Sequence, residues 1–112
     1  MTPRDFEKIV CESLKSLPKF FRDKLQNMDV VIEEGTADQD ILGLYEGTPL
    51  SERGQGYSGV LPDKITLYRR AIEAECKESG KDIREEIRHT VRHEIAHHLG
   101  ISDERMDDLD VY

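Results

Sequence analysis

Apolar positions along the chain follow two different periods. Phe6, Ile9, Val10, Leu14 and Leu17 recur at three- and four-residue spacings, the signature of an amphipathic helix. Thr2 before Pro3, with Asp5 at the third helical position, starts it: a hydroxyl can accept a free backbone N–H, and the missing N–H of proline is not needed there. Pro18 stops that helix, and Phe20, Phe21 and Leu25 predict a short second helical turn closing over the core. The pattern then changes. Asp29 to Glu33 is β-branched and bounded by turn formers, which predicts a strand. Ile41 to Tyr45 predicts a second strand, with Gly43 marking a bulge or a close backbone approach. In Lys64 to Tyr68, Ile65 and Leu67 alternate with Thr66 and Tyr68, as in a half-buried strand; this strand is the best candidate for an edge that pairs with an extended peptide, and an ordinary sheet strand with a wet face is an equally good reading.

Between these strands, residues 46–62 carry four glycines (Gly47, Gly54, Gly56 and Gly59) and two prolines without periodicity, so they form a long loop, either a flap over a cleft or a connector. The loop has no GK[ST] ending, which excludes a phosphate-cradling nucleotide site. Helical period returns from Ala71 to Glu78 and breaks at Ser79-Gly80. Asp82, with Glu85 three residues later, then caps a last helix. In that helix Ile83, Ile87, Val91, Ile95 and Leu99 form an apolar row. His93 and His97 each lie two residues from Ile95, which at about 100° per residue puts them on the opposite face.

A chain of 112 residues suits one domain spanning 1–112, large enough for a modest core without disulfide staples. A net charge of −8 with 36% charged residues argues against nucleic acid or an anionic membrane as the main partner, since phosphates are repelled. Arg69-Arg70 and the series Arg84, Arg88, Arg92 read as solvated faces. The start has no apolar stretch of signal-peptide length and no segment approaches a membrane span, so the expected location is the cytoplasm. Cys11 and Cys76 are far apart and outside any CxxC pair, and are expected to be free, partly buried thiols.

The last helix carries the chemistry. His93-Glu94-Ile95-Ala96-His97-His98-Leu99-Gly100-Ile101-Ser102-Asp103 has the form HExxHxxGxxD. Two imidazoles four residues apart can reach one metal ion, while Glu94, offset around the helix, can act on a water instead of competing as a ligand. A left-handed turn at Gly100 would let Asp103 swing back as third ligand, ahead of Glu104, Asp107 and Asp108. His89 continues the imidazole row, but residue 90 is threonine, so His89 is expected in a supporting or surface role. His98 points toward the core side and is expected to be a packed, hydrogen-bonded histidine. Two imidazoles and one carboxylate suit Zn2+ with a position left for water, a base in Glu94, and hydrolysis of a peptide or protein substrate by a monomeric enzyme. A second oxyanion donor is expected among Tyr68, Tyr45, Tyr57 and Tyr112.

These residues also carry a family resemblance. The HExxHxxGxxD stretch resembles the zinc signature of zincin metallopeptidases in the form with aspartate as third ligand. Together with Gly43 to Gly47, Gly59 to Arg70 and Arg84 to Glu86, it is similar to the small bacterial minimal zincins. The resemblance implies an α+β fold: a small mixed sheet packed on an N-terminal helix and a C-terminal HExxH helix, with an edge strand bordering the cleft. Larger metzincins place a methionine turn well downstream of the ligands, whereas nine residues follow Asp103 here. The cleft is therefore expected to have one developed wall. That expectation supports a second reading, a zinc-binding regulatory or interaction module with little general proteolytic activity.

Overall fold

The computed structural model describes residues 1–47 and 63–99. Helix α1 spans Pro3–Lys15 and starts as the sequence predicts, with the Thr2 hydroxyl accepting the Asp5 N–H at 3.1 Å. Pro18 precedes α2, Lys19–Leu25, which buries Phe21 and leaves Phe20 exposed, its ring edge-on to that of Phe21. Strands β1 (Met28–Glu33), β2 (Gly43–Glu46) and β3 (Asp63–Tyr68) follow, then α3 (Arg69–Ser79) and α4 (Ile83–His98). Gly80 closes α3 with φ of 76°, in the left-handed region that glycine enters without a Cβ clash. The Asp82 carboxylate accepts the Arg84 and Glu85 N–H groups and so caps α4.

The sheet has the order β1-β3-β2, with β1 parallel and β2 antiparallel to β3. This corrects the expectation that Lys64 to Tyr68 is an edge. It is the central strand, flanked by Val30 and Tyr45 at Ile65 and by Ile32 and Gly43 at Leu67. Thr66, expected on a wet face, is buried because Val31 and Leu44 stand beside it in register. Among the described residues the edges are β1 and β2.

Phe6, Val10, Leu17, Phe21, Ile65, Leu67, Ile72, Ile87, Val91 and Ile95 make one buried cluster, each large side chain contributing about 1.5–3 kcal/mol relative to exposure. On α4 the apolar row is buried at Ile87, Val91 and Ile95, but Leu99 is 44% exposed. The reason is geometric. Each four-residue step overshoots a turn by about 40°, so after four steps the row has rotated off the core.

The basic residues are used internally. Arg84 pairs with Glu12 at 2.9 Å, and Arg88 reaches Glu85 and donates to the Ser16 hydroxyl at 3.0 Å, tying α4 to α1. Arg69 pairs with Glu34 and, at 3.0 Å, with Glu73, and donates to the Met1 carbonyl. Its guanidinium holds the Glu34 carboxyl below the usual carboxylate range, and Glu34 in turn raises Arg69. Cys11 is exposed, unlike the partly buried thiol expected, whereas Cys76 is half-buried; both are free. Among the described residues no helix is long and apolar enough to cross a membrane.

Candidate metal centre

The last two turns of α4 bring His93 and His97 together. Their ring centroids are 3.9 Å apart with planes tilted at 52°, so the rings are neighbours without stacking face to face. His93 is half-buried and His97 exposed, which leaves the pair reachable from solvent. His89 extends the row, its ring 5.6 Å from that of His93 and nearly parallel to it. Burial pushes the His89 pKa down and Glu86 opposes that shift, which favours the neutral ring. Among the described residues no group of three His, Cys, Asp or Glu side chains is gathered closely enough to hold an ion. The helix presents two nitrogen donors of a zinc-compatible kind. Asp103, with its rivals Glu104, Asp107 and Asp108 and the Gly100 turn, lies outside the described residues.

Glu94 is half-buried next to this pair. Burial raises its carboxyl pKa, and His93 and His97 pull it back down. It lines a cleft of about 330 Å³ together with Leu42, Gly43, His89, Thr90 and His93. Gly43 is a close-approach glycine, as its place in the strand suggests. A Cβ there would lie 2.8 Å from Thr90 Cγ2 and 3.2 Å from the Thr66 carbonyl oxygen. Edge strand β2 therefore lies directly against α4 and borders the cleft.

Two features escape a reading of the sequence. Glu86, only 3% exposed, contributes to the same cleft and has Lys81 Nζ at 3.7 Å. Its signal is its position seven residues, two turns, before His93, which places both on one face. The other is His98. It is exposed, not turned into the core, and its ring stacks on Tyr45 at 3.9 Å and 22°. The Tyr45 hydroxyl donates to Asp63 Oδ2 at 2.6 Å. Neither Tyr45 nor Tyr68 is among the residues lining the cleft beside Glu94. Tyr57, Tyr112 and the loop beyond Gly47 lie outside the described residues.

Residues 20–112 match the family model for zincin-like metallopeptidases. Among solved structures, the chain is similar to a conserved hypothetical protein from Thermus thermophilus, with 25% identity over 88% of this chain and 94% of that one, and a TM-score of 0.58. Comparison with curated proteins gave no match.

Proposed function

The chain belongs to the zincin-like metallopeptidase family, and from that premise we propose that it is a zinc-dependent hydrolase of peptide bonds, with His93, His97 and Asp103 as ligands and Glu94 as general base. The observation that carries this reading is the adjacency, on one helix, of the His93/His97 ring pair and a half-buried carboxylate at the edge of a cleft. Zinc, when bound, supplies a Lewis acid and lowers the pKa of water toward neutrality.

The rest of the chemistry belongs to the chain. Glu94 takes the proton of the attacking water, and its raised pKa brings it nearer to neutrality than an exposed glutamate. The same carboxyl then returns the proton to the leaving amine. Leu42 and Gly43 line the cleft wall, and the outer edge of β2 offers backbone groups for an extended substrate, the part that the sequence pattern gives to β3.

The test is to incubate zinc-loaded protein and its Glu94→Gln variant with a diverse peptide library, with zinc content measured in both. Cleavage by the native protein should fall about 10²- to 10⁴-fold in the variant at equal zinc content. Equal cleavage by both proteins, or none by either, sinks the proposal.

A further inference from the structure

The last turn of α4 is the part of the helix with least apolar support. Burial ends at Ile95 and Ala96, and His97, His98 and Leu99 are all exposed. Terminal turns leave backbone carbonyls without intrahelical partners and are the first part of a helix to open. His97 sits in this turn, with its ring against that of His93.

Among the described residues, a chain of contacts ties this turn back to the centre of the sheet. The His98 ring lies flat on Tyr45, and the Tyr45 hydroxyl is anchored on Asp63, the first residue of central strand β3. Gly47, one residue past the end of β2, makes room for the ring. A Cβ at that position would fall 2.7 Å from His98 Cε1 and 3.3 Å from Tyr45 Cε1. The bare backbone at Gly47 thus lies along the edges of both rings.

We infer that Tyr45, His98 and Gly47 form a positioning device that sets the final turn of α4, and with it His97, for metal binding; the inference rests on the zinc reading above. A metal site tolerates little displacement of its ligands, because the bonds are short and directional. His98 is a positioning residue: it acts through the helix turn it pins, and its ring is committed to Tyr45. The sequence spacing gives no hint of this role, because Tyr45 and His98 are brought together only by the packing of β2 on α4.

Co(II) titration of the full chain, followed by its visible absorption and by competition with a chelator, reads the proposal directly. His98→Ala should weaken Co(II) binding by about tenfold or more and change the absorption spectrum. His98→Phe, whose ring can stack but cannot ligate, should restore most of the affinity and the native spectrum. Gly47→Ala should weaken binding in the native chain and have a much smaller effect in the His98→Ala background, since the severe clash it creates is with the His98 ring and only a lesser contact, with Tyr45, remains.

Melting of the metal-free variants separates this from a purely structural role. A lowered melting temperature in His98→Ala with affinity and spectrum unchanged would overturn the inference. So would His98→Phe binding as poorly as His98→Ala, which would make the imidazole itself a ligand. If His98→Ala fails to fold, Gly47→Ala and His98→Phe carry the same comparison between them. A native protein that binds no Co(II) at all brings down the zinc reading and this inference with it. Native binding with unperturbed variants brings down only the inference.

Discussion

The two halves of α4 belong to one continuous helix and are held in different ways. The first part, Ile83 to Val91, is capped by Asp82, buries Glu86, Ile87, Thr90 and Val91, and is tied to α1 through Arg84 and Arg88. The second buries only Ile95 and Ala96, and its end rests on the Tyr45–His98 stack. The imidazole pair stands where the helix leaves the core. The difference shows how a small fold can combine two features: the anchored half fixes the helix axis, while the other half leaves its rings open to solvent, as the proposed zinc site requires.

The hardest test of that division is Ile87→Ala in the anchored half set against His97→Ala in the other. Ile87 is fully buried, so its truncation should cost about 2–5 kcal/mol in urea unfolding of the metal-free protein. His97 is exposed, and its loss should change metal-free stability by less than about 0.5 kcal/mol while removing the stabilisation gained on adding zinc. Similar losses of stability for the two variants would break the comparison.

Gly43 lies at the seam between sheet and helix, and its substitution should have an intermediate effect. Gly43→Ala drives a methyl group toward Thr90 Cγ2 and the Thr66 carbonyl. The threonine methyl can give way, whereas the carbonyl is backbone of the central strand. Overpacking of this kind costs about 1–3 kcal/mol. A Gly43→Ala protein as stable as the native chain would mean that β2 is not pressed against α4.

What the sequence can and cannot disclose follows the range of the interactions involved. Caps at Thr2 and Asp82, the break at Gly80 and the close approach at Gly43 depend on local chemistry or on a missing side chain, and each is legible. The place of β3 is not, because Ile65 and Leu67 alternate with their neighbours in the same way whether one strand or two pair with them. Counting in fours assigns Leu99 to the core, which ignores the rotation accumulated along the helix. For His98 the angle is right and the surroundings are not. It faces the sheet side, but at that height the core has ended and the ring meets Tyr45. The pairing of His93 with His97 and the offset of Glu94 follow from helical period alone, whereas the buried carboxylate of Glu86 needs its neighbours in space.

A smaller effect sharpens the account of how the anchored half begins. Asp82 accepts both the Arg84 and the Glu85 N–H groups, and Asp82→Ala leaves these donors to water, at a cost of about 0.5–2 kcal/mol. Hydrogen exchange should speed up at the start of α4 and stay unchanged at His93 to His97. Acceleration along the whole helix would show that the two halves open together.

The two cysteines probe the same division through pH. Cys11 is exposed on α1, while Cys76, on α3, is half-buried with Glu86 and Asp82 of the anchored region and Glu75 close enough to act on it. Burial first, and then these negative charges, push its thiol from an ordinary value near 9 up to about 11. At about pH 8 the Cys76 thiolate is therefore roughly a hundredfold scarcer than in an unperturbed thiol. A disulfide reagent should modify Cys11 rapidly and Cys76 slowly, as read by comparing the native protein with Cys11→Ser. Glu86→Gln removes one of the negative neighbours and should speed the Cys76 reaction. The sign for stability follows. A thiol whose pKa is raised on folding favours the folded state fully below its unfolded value near 9, and that contribution is lost as pH rises through about 11. Solvent screening of a half-buried group keeps the loss small, so urea midpoints should drift down only slightly between about pH 8 and pH 10.5. Equal reactivity of the two thiols would mean that the space between α3 and the start of α4 is open to water. The anchored half would then owe its stability to the α1 contacts and the core stripe alone.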